Sequence, residues 1–81
     1  MLRYKLRELL AEKAYKEGGR RVTFEEVSRN TGINRSTLSK MANIVGYNTT
    51  TDNLDRLCEF FDCDIADLVE LVPTKDADES E

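Results

Sequence analysis

Thr23-Phe24-Glu25-Glu26-Val27-Ser28-Arg29-Asn30-Thr31-Gly32-Ile33-Asn34-Arg35-Ser36-Thr37-Leu38-Ser39-Lys40-Met41 is the stretch whose reading decides the fold. Thr23 with Glu26 three residues later has the form of a capping box. Val22 just before it supplies half of a hydrophobic staple, so a helix begins at Thr23. Val27 faces inward, with Phe24 as a second candidate. Gly32 ends this helix after about two turns, because glycine takes a positive φ without strain. Ile33 follows as a buried residue. Asn34 then reads as the N-cap of a second helix, running from Arg35 to about Ile44 with Leu38 and Met41 inward. Two short helices joined by a glycine-containing turn have the layout of a helix-turn-helix. Each key position has a steric reason. Ser28 is small where the helices cross, Gly32 makes the exit, and Leu38 plugs the angle between them.

Outward from this stretch, Leu6 to Lys16 carries Leu6, Leu9, Leu10 and Ala14 at helical spacing, with Arg7, Glu8, Glu12, Lys13 and Lys16 on the other face. Gly18-Gly19 stops it. Leu2 to Lys5 alternates apolar and charged residues, which suits a short strand whose one candidate partner is Val69 to Val72. After a loop over Val45 to Thr50, Thr50 caps a fourth helix with Asn53 at the third position, and Leu54, Leu57, Cys58 and Phe61 form its inward stripe. Asp64 caps a short fifth helix with Asp67 as its capping-box partner, and Ile65, Leu68 and Val69 anchor it. Pro73 closes the domain. Residues 74–81 hold four acids and no large apolar side chain, so an acidic, disordered tail is expected there.

Bulk properties prune the alternatives. An 81-residue chain supports one core, and 40 % apolar with 35 % charged residues is a globular composition. No apolar run is long enough to span a bilayer. The chain contains no histidine, and its only cysteines are Cys58 and Cys63. A structural zinc site and the usual histidine-based catalytic sets are therefore excluded, and neither an enzyme nor a cofactor is expected. Asp62, Asp64 and Asp67 have some calcium-loop spacing, but the turn glycine is missing and Pro73 stands where the bidentate glutamate belongs. Two cysteines without a secretory segment favour a reducing cytoplasmic setting, with Cys58 an inert thiol on the apolar stripe.

Val27-Ser28, Thr31-Gly32-Ile33, Ser36-Thr37-Leu38-Ser39, Leu54-Asp55-Arg56-Leu57-Cys58 and Asp67-Leu68-Val69, in this order of helices, resemble the Xre-type, Cro- and phage-repressor-like helix-turn-helix domain of prokaryotic transcription regulators. The resemblance spans about residues 2–73. It implies an all-α fold: a compact five-helix bundle of the phage-repressor DNA-binding type, with the terminal segments 2–5 and 69–72 available to pair as a ribbon. The domain is then 1–73, and the acidic tail 74–81. The resemblance further implies that the helix 35–44 enters the major groove of double-stranded DNA, with Arg35, Ser36, Ser39 and Lys40 reading bases. Backbone contacts would come from Arg20, Arg21, Thr23, Asn43, Tyr47, Asn48, Thr49 and Thr50, with Arg29 a further candidate. Family members often carry glutamine where this chain has Phe24, which cannot bond a phosphate, so Arg20, Arg21 and Thr23 would replace that contact. A repressor-like homodimer is the expectation, since one reading helix covers half a site. The alternative is an antitoxin-like or adaptor module whose main partner is another protein.

The net charge of −4 is unevenly divided. Residues 1–47 hold ten Lys and Arg against five Asp and Glu, and residues 48–81 hold two against eleven. The basic half carries the helix-turn-helix, so an acidic total does not argue against a polyanionic partner.

Overall fold

The computed structural model describes residues 1–73. The elements run β1 (Leu2–Tyr4), α1 (Leu6–Lys16), α2 (Phe24–Thr31), α3 (Arg35–Asn43), α4 (Thr51–Phe61), α5 (Ile65–Leu68) and β2 (Val69–Leu71). Among the described residues, five helices and a two-stranded ribbon agree with the architecture expected from the spacing. The expected tail, 74–81, lies outside the described residues.

Local chemistry starts and stops most elements where the sequence placed them. The Thr23 side chain accepts from the Glu26 N–H, that of Asn34 from the Ser36 N–H, and that of Thr50 from the Asn53 N–H. Each satisfies one orphan donor of a helix start. At α5, Asp67 accepts from the Asp64 N–H at 3.2 Å. The box at Thr23 is only half formed, because the Glu26 carboxylate turns away to Arg20. Helix α3 ends at Asn43, and Ile44 is already extended, with φ −114° and ψ 108°. Gly32 has φ +80° and donates its N–H to the Ser28 carbonyl at 2.8 Å.

The ribbon is antiparallel, pairing Leu2 with Leu71, Arg3 with Glu70 and Tyr4 with Val69. Bonds between Met1 and Val72 and from the Lys5 N–H to the Leu68 carbonyl extend it at both ends. This clamps the start of α1 to the end of α5, two segments far apart in sequence. Arg3 bridges Glu70 at 3.0 Å and Glu8 at 2.7 Å across its exposed face.

Ten side chains make the core: Tyr4, Leu6 and Leu9 from β1 and α1, Val22 and Val27 around α2, Ile33, Leu38 and Met41 from the turn and α3, Leu57 from α4 and Leu68 from α5. Leu38, Leu57 and Leu68 are completely buried. Tyr4 is a core residue whose hydroxyl donates to the Tyr47 carbonyl at 2.7 Å, whereas Tyr15 is exposed. Phe60 is half-buried, edge-to-face with Phe61 at 5.0 Å and beneath the Lys13 ammonium.

Two inward assignments need correction. Ile65 is 53 % exposed and does not anchor α5. It stands one turn before Leu68, where the surface is recessed between α4 and α5. On α4 only Leu57 is fully buried, while Leu54, Cys58 and Phe61 are half-buried at the margin of the core. Both thiols are free.

A side chain at position 32 must adopt a left-handed backbone, and its Cβ would stand 3.2 Å from the Arg56 guanidinium. Gly32→Ala is expected to destabilise the domain by about 1–2 kcal/mol. Thermal unfolding should show a Tm lower by roughly 4–8 °C per kcal/mol for a domain of this size. An unchanged Tm would show that the turn does not depend on glycine.

Candidate nucleic-acid interface

Helices α2 and α3 cross over Val27, Ile33, Leu38 and Met41, and this packing decides what remains exposed. The Thr31 hydroxyl donates to the Val27 carbonyl at 2.7 Å and accepts from the Ile33 N–H at 3.2 Å, stapling the turn. From α4, Arg56 donates to the Thr31 carbonyl at 3.1 Å. The turn is thus held from both sides, and the N-terminal face of α3 points away from the core.

In front of that face lies an open groove of about 530 Å³, lined by Glu25, Ser28, Arg29, Asn34, Arg35 and Ser36. Arg35, Ser36 and Lys40 are exposed, and Ser39 is half-buried one turn on from Ser36. Among the described residues neither Arg35 nor Lys40 has an ion-pair partner. Asn34 is committed as the cap of α3. Glu25 was not among the residues singled out from the sequence. Its carboxylate repels phosphate but can accept from a cytosine amino group, so it suits the floor of a groove better than a backbone.

Arg7 is the main residue that sequence reasoning missed. Its guanidinium donates to Asn43 Oδ1 at 2.6 Å and lies over the Phe24 ring, 5.8 Å from the centroid. Asn43 in turn donates to Ser39 Oγ at 3.2 Å. One arginine of α1 therefore touches both helices of the motif. Because Ser39 accepts from Asn43, its own O–H is left to donate outward. The Asn43 amide is thus committed on both sides. Arg7 read as part of the polar face of α1, and its proximity to Phe24 and Asn43 is a tertiary fact that periodicity does not encode.

The other backbone candidates divide similarly. Arg20 is gripped by Glu17 and by Glu26 at 2.9 and 3.0 Å. These hydrogen bonds raise the Arg20 pKa further and lower that of Glu26, while Glu17 is lowered first by its hydrogen bond from Lys13 and then by that from Arg20. Arg21 is exposed and has no ion pair among the described residues. It meets Arg7, Thr23 and Phe24 in a recess of about 150 Å³ at the N-terminus of α2. Two arginines and the positive end of a helix thus border one recess, a combination suited to a phosphate. On the far flank, Asn48 and Thr50 are exposed, and Tyr47 is half-buried. Thr49 and Thr50 already accept from Asn53 at 3.1 Å. At the start of α4 the Asp52 carboxylate pairs with Arg56 at 3.0 Å, and its charge opposes a phosphate at that end.

A family model described as the Cro/C1-type HTH DNA-binding domain matches residues 5–74. The chain belongs to this family, whose members are DNA-binding domains. Among curated proteins and among solved structures, nothing matches it.

The geometry separates Arg7, which lines the recess, from Arg20, which two carboxylates hold. Arg7→Ala should weaken DNA binding about equally on all sequences and flatten the log–log salt dependence by about one. Arg20→Ala should change neither. Titrations across a salt series check both, and an equal effect of the two variants would overturn the assignment of the recess.

Proposed function

From membership of that family we propose that the protein is a sequence-specific, repressor-like transcriptional regulator, working in the cytoplasm without a cofactor. Helix α3 enters the major groove, with Arg35 and Lys40 donating to guanine O6 and N7 and Ser36 and Ser39 making close polar contacts. Arg7, Arg21, Thr23 and the N-terminus of α2 hold one phosphate, and Asn48 and Thr50 hold the backbone on the other side. The observation that carries this reading is the pair of uncommitted cations, Arg35 and Lys40, on the exposed face of a helix whose opposite face is fully buried at Leu38.

One reading helix covers half a site, so the regulator acts as a homodimer. Among the described residues, five of the seven exposed large apolar side chains, Met1, Leu2, Ile44, Val45 and Leu71, gather where the ribbon meets the end of α3. The Gly46 N–H donates to the Leu2 carbonyl at 2.8 Å, which covers the outer edge of β1 there. Along β2 the bonding alternates, so the Leu71 N–H and C=O point away from β1 to an open edge. A second copy can pair with that edge across a two-fold axis and cover the apolar side chains. A reading as a protein-binding module is favoured by one different feature, the apolar groove between α4 and α5.

Selection from a random DNA pool should return a two-fold symmetric site with half-sites about one helical turn apart. On that site Arg35→Ala and Lys40→Ala should each cost roughly 1–3 kcal/mol, and affinity should fall with salt by a slope near −0.9 per phosphate neutralised. No enrichment, or full affinity in both variants, would sink the proposal. Separately, sedimentation at micromolar concentration should show a dimer that Leu71→Glu converts to monomer. Monomer throughout, with and without the selected DNA, would remove the ribbon as the dimer surface.

A further inference from the structure

Between α4 and α5 the surface opens into a groove of about 480 Å³. Its floor is Leu54, Cys58, Cys63 and Ile65, and Asp55 and Asp64 stand on its rim. Ile65 projects into it from a helix of only one turn, which leaves a branched aliphatic side chain more than half exposed. Burial raises the pKa of both thiols, that of Cys63 to about 11, and the nearby Asp64 and Asp67 carboxylates push the same way. The thiols are therefore neutral at physiological pH, and the floor is apolar and uncharged.

The rim has one sign. Among the described residues Asp55 and Asp64 make no ion pair. On neighbouring elements Arg56 holds Asp52 and the Thr31 carbonyl, Lys5 donates to the Ala66 carbonyl, and Lys13 sits over Phe60. This charge narrows the choice of occupant. A phosphate backbone is repelled. A second copy of the chain would set Asp55 and Asp64 against their own symmetry mates, which like-charge repulsion disfavours. What complements an apolar floor with an acidic rim is an apolar side chain flanked by cations.

We propose that this groove docks a basic segment of a protein partner, seating one aliphatic side chain on Leu54, Ile65 and the two thiols, with flanking Lys or Arg residues paired to Asp55 and Asp64. The apolar anchor supplies affinity and the charges supply steering and orientation. The inference does not rest on the DNA reading, because none of the residues it uses is among those assigned to DNA.

The test uses the full 81-residue chain, labelled with nitrogen-15 and titrated with the peptide acetyl-Arg-Lys-Leu-Lys-Arg-amide. Amide shifts should concentrate on α4 and α5 around Leu54, Cys58, Cys63 and Ile65. A peptide with serine in place of leucine should bind about tenfold more weakly, and Asp55→Lys and Ile65→Ser should each weaken the parent peptide by a similar factor. Both substituted positions are exposed, and unchanged thermal unfolding establishes that the variants fold. Three results overturn the proposal: no binding at millimolar peptide, equal binding of the serine peptide, or shifts confined to residues 74–81 or to another face.

Discussion

The angle between α2 and α3 is the constraint from which the rest of the molecule follows. It is set by one left-handed residue, Gly32, and by the aliphatic side chains packed behind it, with Leu38 at the centre. Burying one such side chain contributes about 1.5–3 kcal/mol, while forcing an L-residue into the conformation of Gly32 costs about 1–2. The two quantities are comparable, so in a core of ten residues a single methyl group at the turn competes with a whole packing contact. Arg56 and Thr31 add hydrogen bonds to the same few atoms. The outward direction of Arg35 and Ser36 is a by-product of this inward arrangement.

How much was legible in the sequence depended on the range of the interaction. Thr23, Asn34 and Thr50 cap their helices through bonds that reach two or three residues, so their positions could be read from spacing. Gly32 was legible for the same reason. The ribbon was readable only as a pairing of ends, because Leu2 to Lys5 has one possible partner. Arg7 was not legible: its contacts to Asn43 and Phe24 join three helices, and a polar residue on a polar face gives no local sign of that. Arg20 beside Arg21 looked equivalent in sequence, yet Glu17 and Glu26 hold one and leave the other open. Ile65 misled because helical spacing assigns a side, while the depth of the surface on that side is a property of the neighbouring helix.

Charge is partitioned with the same economy. The basic half holds the exposed face of α3 and the recess lined by Arg7 and Arg21, and the acidic half holds a groove of opposite character. Because the two halves are fused in one core, each surface limits what can approach the other. A polyanion meets repulsion once it extends past Thr50 into the first turn of α4, where Asp52 stands. This confines non-specific attraction to the basic half of the chain.

The ribbon also has a mechanical meaning. Met1 and Val72 exchange hydrogen bonds, so the chain enters and leaves the domain at neighbouring points. Tension applied at those two points acts across the strands and loads the ribbon bonds one pair at a time, as a zip is opened. The core is spared until Tyr4 and Leu68 are reached, because the pairing ends where their burial begins. A load along the strands would instead be shared by all the pairs at once. The domain is thus built to yield first at its ends.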